Sequence, residues 1–235
     1  MIDVIAAIAL TGLAVANPGT LILTSPLGAV AARRLAVGAA VWLVAIAGLA
    51  AAGLFAASSP IGTPAIGAAV LVPVVVLALS AARPSAIRRL ALGIPLAVLV
   101  GLHLGRLLGA FFLWLHAEGR LPWTFATYAG WGDIAVAAAA VPVAWAVHRR
   151  FAGWWPLVLA WNTIGLADLL AAVALGVASG ATSPLRLIHE SPDTATMGTL
   201  PWLLVPGFLV PIYIAAHLAV FAQLATARGR GGGGS

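Results

Sequence analysis

The chain has 235 residues, of which 63% are hydrophobic and only 8% charged, and its mean hydropathy is +1.09. A soluble domain averages about 45–50% apolar and about 25% charged residues, so this composition excludes one. The formal net charge is +6, but all twelve Lys/Arg residues are arginines and all except Arg106 fall near the ends of apolar segments; with no basic face, the expected partner is the lipid bilayer and not a nucleic acid.

A membrane span needs about 20 mostly apolar residues, and such stretches occur near 3–23, 36–57, 64–82, 91–116, 123–147, 154–179 and 199–226. The first begins Met1-Ile2-Asp3 without a basic leader, so no cleavable signal peptide is expected. Asn17-Pro18-Gly19 interrupts it and is a candidate break in the helix. In the fourth stretch Gly101, Gly105 and Gly109 recur four apart, the pattern of a small-residue seam between helices. Trp114, Trp123 and Trp202 fall near one set of span ends, and Trp145, Trp154 and Trp155 near the other, as an aromatic belt does. Trp131 and Trp161 lie deeper and are expected inside the bundle. The long loop from Gly180 to Gly198 holds Arg186, His189, Glu190 and Asp193, and reads as an ordinary solvated loop or a lid. Its His189, Glu190 and Asp193 match no zinc spacing, so no metal site is expected there. In the last stretch Pro206 and Pro211 each remove a backbone donor and should kink the helix, which makes it a candidate wall of any site.

Loop charge orients this all-α bundle of seven spans. One side collects Arg33, Arg34, Arg83, Arg88, Arg89, Arg149, Arg150, Arg228 and Arg230; the other has Arg120 and Arg186 with Asp3, Glu118, Glu190 and Asp193. The positive-inside rule then places the N-terminus outside and the C-terminus in the cytoplasm. Residues 1–230 are expected to form a single transmembrane helical domain, and 231–235 reads as a Gly/Ser linker of engineered type.

Three charges interrupt the apolar spans: Arg106 in the fourth, Asp133 in the fifth and Asp168 in the sixth. Each lies about ten or eleven residues from the same side, roughly 15–17 Å down, near the midplane of a ~30 Å core. A charge there costs roughly 2.5–3.5 kcal/mol on insertion scales, so each needs a partner. The economical arrangement sets Arg106 between the two carboxylates, which leaves one excess negative charge for a proton or a cation to neutralise. His103 precedes Arg106 by three residues on the same helix face. With Asn162 and His217 it extends a polar lane from the midplane toward the arginine-rich side.

Several segments of the second half, from 103 to 217, read together: Arg106-Leu-Leu-Gly109, Gly119-Arg-Leu-Pro122-Trp-Thr-Phe125-Ala126, Gly130-Trp-Gly132-Asp133-Ile134, Gly165-Leu-Ala-Asp168-Leu, and Leu200-Pro-Trp-Leu-Leu-Val-Pro206 through Pro211 to His217. They resemble a group of uncharacterised small bacterial multi-span membrane proteins. The resemblance implies that these residues belong to one unit and implies no activity.

The leading functional expectation is a protein that binds or transports a small solute, an ion or a proton through Arg106, Asp133, Asp168, His103, Asn162 and His217. A second is an intramembrane enzyme or a b-type haem redox protein using His103 and His217, although the two rings are expected to lie too far apart or to face different neighbours. A third is a structural or partner-binding subunit whose cluster only holds helices together. No phosphate loop, dinucleotide fingerprint or serine elbow is present, and without lysine or cysteine the chain offers neither a retinal-type Schiff base nor thiol chemistry. Oligomeric state is left open by the sequence.

Overall fold

The computed structural model describes residues 1–231 of the chain. Among them every regular element is helical: α1 (Ile2–Leu23), α2 (Ala29–Ala51), α3 (Gly62–Ala81), the short α4 (Ala86–Gly93), α5 (Leu96–Leu102), α6 (Ala110–Ala117), α7 (Trp123–His148), α8 (Trp154–Ala178) and α9 (Val210–Gly231). A 3-10 segment, His103–Gly109, joins α5 to α6, and a π-helical turn, Val205–Leu209, leads into α9. Seven helices are long and apolar enough to cross a membrane, the fourth running Leu96–Ala117 and the seventh Val205–Ala227. The protein is a polytopic membrane helix bundle. The Gly/Ser stretch read at 231–235 lies, apart from Gly231, outside the described residues.

The central helix is α7. Its buried stripe is built largely from Ala126, Ala129, Gly130, Val136, Ala137 and Ala140, so neighbouring backbones approach closely. The fourth span and α8 pack on it, and the seventh span packs against α8 and α3. By contrast α2 turns Val37, Val41 and Val44 outward, which in a bilayer is a lipid-facing surface.

Several expectations are corrected. The first span does not break at Asn17-Pro18-Gly19: α1 continues through Pro18, and Asn17 is buried, donating from Nδ2 to the Tyr213 hydroxyl at 3.1 Å. The second span begins at Ala29, so Arg33 and Arg34 lie in its first turns and not in a loop. Trp131 is 60% exposed and faces outward, whereas Trp202, expected in the belt, is buried. The indole N–H of Trp202 instead donates to Asp3, which also receives two hydrogen bonds from Arg120, each 2.9 Å. That knot fixes the start of α1 to the α6–α7 turn. The 180–198 loop is tied down rather than simply solvated. Thr182 bonds Thr63, and Glu190 caps α7 by accepting from the Thr124 backbone N–H at 3.0 Å and from its hydroxyl. The Thr124 hydrogen bonds hold the Glu190 carboxyl below the usual carboxylate range.

Prolines shape the ends of two spans by deleting donors, and distant side chains replace what is lost. Pro95 cannot donate to the Ala91 carbonyl four residues back. Gln223 Nε2 does so at 2.8 Å, and also reaches the Ile94 carbonyl at 2.9 Å. Pro211 likewise leaves the Gly207 carbonyl free, and the Trp42 indole N–H occupies it at 2.9 Å.

Candidate functional site: a buried arginine between two aspartates

The site begins with the winding of the fourth span. In a 3-10 helix residues three apart eclipse one another, so His103, Arg106 and Gly109 form a single buried row. This row faces α7. Gly109 is the contact point: a Cβ there would stand 2.6 Å from Asp133 Cβ and 2.8 Å from the Gly130 carbonyl oxygen, distances that no side chain tolerates. The expected seam of Gly101, Gly105 and Gly109 therefore does not form. Gly101 has open space beside it, Gly105 meets Leu13 and Tyr213, and Gly109 meets α7.

The close approach brings Arg106 to both aspartates. Its Nε donates to Asp133 Oδ1 at 2.6 Å, its Nη2 to Asp168 Oδ2, and its Nη1 to the Gly165 carbonyl at 3.0 Å. The guanidinium thus joins the fourth span, α7 and α8. Arg106 is 2% exposed and Asp133 8%, while the Asp168 side chain keeps 21% of its surface open. Gly132 makes room for that second carboxylate, because a Cβ at this position would strike Asp168 Oδ1. The glycines beside Asp133 in the sequence are space for the site. Among the described residues no group donates to Asp133 Oδ2 or Asp168 Oδ1, so each carboxylate retains an oxygen free to accept.

Toward the arginine-rich side lies a second group. His103, Asn162 and His217 are all fully buried. Asn162 Nδ2 donates to the His217 carbonyl at 3.1 Å, and its Oδ1 lies 2.7 Å from His217 Nδ1, which fixes the hydrogen of that ring on Nδ1. The two imidazoles were expected to lie apart, yet their centroids are 4.0 Å from each other, with Trp161 and Tyr213 packed around them. A haem iron would need a ring nitrogen near 2 Å on either side of a porphyrin plane. Rings already in contact leave no room for that plane, so a haem between them does not fit. Both His103 nitrogens and His217 Nε2 have no hydrogen-bond partner. The residues read from the sequence as a polar lane are a buried group packed ring against ring.

Open space lies on the opposite side of the cluster. A cavity of about 80 Å³ runs between α3, α8 and the seventh span, bounded by Thr63, Thr182 and Thr194 near the loops and by Asp133 at its deep end. A smaller one of about 20 Å³ adjoins it beside Arg106 and Tyr213. Pro206 lines the larger cavity, in keeping with the expectation that the last span forms a wall. Sequence reasoning read Asn17 only as part of a candidate helix break and did not single out Tyr213 or the three threonines. An asparagine inside an apolar span was the one signal that could have exposed the first pair.

Fold and site define a polytopic membrane protein with a charged triad at mid-span. Residues 63–225 match the family model described as a domain of unknown function (DUF8737), and the chain belongs to that family. The matched region holds the complete triad and both histidines. No curated protein and no solved structure matches the chain.

Proposed function

We propose that the chain is a bacterial inner-membrane protein, N-terminus outside and C-terminus in the cytoplasm, that binds or carries a small solute or ion in step with a proton. The Asp133–Arg106–Asp168 cluster is its working site. The observation carrying this reading is the meeting of an incompletely paired cluster with a cavity: Asp133 is both a partner of Arg106 and part of the cavity wall. Two ionised carboxylates against one guanidinium leave one negative charge in excess, and a proton or a bound cation balances it. Room for on the order of five waters beside Asp133 supports exchange of that proton or cation. Intramembrane ionisable residues with an open approach belong to substrate or proton paths as a rule.

Infrared difference spectroscopy of the purified protein tests the reading. A carboxyl band should change with pH or added cation and disappear in Asp133→Asn or Asp168→Asn. A spectrum with no such band across the pH range would leave the second reading, a structural clamp. The bond from Arg106 to the Gly165 carbonyl favours that alternative, because it ties three helices without involving a ligand.

A further inference from the structure

We infer that the larger cavity is a binding site for a small organic monocation, an amine or ammonium with an apolar body and no carboxylate. The inference rests on the reading of the cluster as a working site and names the class of solute. Four features of the cavity select that class.

Charge comes first. Among the described residues Asp133 is the one ionisable residue on the cavity wall, and its Oδ2 accepts from none of them. The nearest cation, Arg106, has its Nε, Nη1 and Nη2 committed to Asp133, Gly165 and Asp168, and it does not reach this wall. An anion would therefore meet a carboxylate and no counter-charge, and a zwitterion would leave its own carboxylate unpaired in an apolar space.

The second feature is the lack of an oxygen cage. Hard metal cations take about six or more oxygen ligands. Beyond Asp133, the side-chain oxygens here are the hydroxyls of Thr63, Thr182 and Thr194. Thr63 and Thr182 bond each other at 3.0 Å, and Thr194 donates to the Gly176 carbonyl at 2.9 Å.

Aromatic lining is the third. Phe112 and Phe125 stand with ring centroids 5.4 Å apart on the wall that Asp133 shares. Aromatic faces attract organic ammonium groups, and most strongly where water is displaced. Fourth, Val70, Leu169 and Val173 supply an apolar surface for the body of the molecule. The ammonium would sit on Asp133 Oδ2, and the carbon chain would extend toward the threonines.

Calorimetric titration of the full chain in lipid nanodiscs tests this with four probes: n-butylammonium, 1-butanol, butyrate and sodium. The expected result is saturable binding of n-butylammonium alone, weakened roughly tenfold or more in Asp133→Asn. Gly67→Leu guards against misfolding of that variant. A Cβ at Gly67 meets nothing within 4 Å, and the residue lies on the cavity wall away from the ion pairs, so leucine should fill the site and abolish binding. Equal binding of butanol would overturn the cationic class while leaving the cluster's role intact. Sodium binding without n-butylammonium would overturn the organic class and keep the ion reading. Silence from all four probes would overturn the inference, and the function proposed for the cluster would fall with it only if the infrared titration were silent too.

Discussion

At the scale of single residues the cluster is a balance of one cation against two acids, and removing the cation is the decisive change. Arg106→Ala should destabilise the protein by roughly 3–5 kcal/mol unless the stranded carboxylates take up protons. Thermal melting in detergent at neutral pH measures this, and an unaltered midpoint would contradict the role assigned to the guanidinium. Adding Asp133→Asn and Asp168→Asn to Arg106→Ala should not restore stability, because the hydrogen bonds joining three helices are lost along with the charges. These three residues were legible in the sequence for a physical reason: a charge in an apolar span is costly wherever it occurs. Tyr213 was not legible. A tyrosine in a membrane helix is unremarkable in composition, and only the fold shows its hydroxyl receiving a hydrogen bond from Asn17.

At the scale of helices, two prolines and two donors from other spans form matched sets. Trp42→Phe leaves the Gly207 carbonyl without its indole partner and should cost about 1–3 kcal/mol. Pro211→Ala restores a backbone N–H four residues from that carbonyl. The same Trp42→Phe change should then be close to neutral in the Pro211→Ala background. A double-mutant cycle read by thermal melting measures the coupling, and equal costs in both backgrounds would show that the indole bond does not replace the missing amide. The sequence exposes the prolines but not what answers them, since Trp42 and Gly207 are 165 residues apart. Similarly, the 3-10 winding at His103–Gly109 carries no sequence mark. Reading 101, 105 and 109 with α-helical spacing put all three glycines on one face.

At the scale of the molecule, seven helices long and apolar enough to cross a membrane are an odd number, and seven crossings would put the start of α1 and the end of α9 on opposite sides. Nine arginines on one side, against Arg120 and Arg186 on the other, support the proposed cytoplasmic placement of the C-terminal side under the positive-inside rule. Reporter fusions at the two termini should therefore report opposite compartments, and a cytoplasmic signal from both would remove α1 from the membrane. The contact between Asp3 and Arg120 argues against that result, because it holds the start of α1 beside the α6–α7 turn. Span number was readable because length and apolarity are properties of each segment alone. The facing of each helix was not, and Trp131 shows why. Lipid is as apolar as the bundle interior, so hydropathy does not distinguish an outward indole from a packed one.

The overwound stretch in the fourth span has a mechanical side. Seven residues at a 3-10 rise are about 3.5 Å longer than the same seven in an α-helix, and they turn through about 140° more. Were that stretch to relax, the span would shorten and α5 would rotate like a screw against α7 and α9. Arg106, in the middle of the thread, could not keep its grip on α7 and α8 through such a turn. The pitch of one helix and the pairing of the cluster's charges are thus a single mechanical constraint.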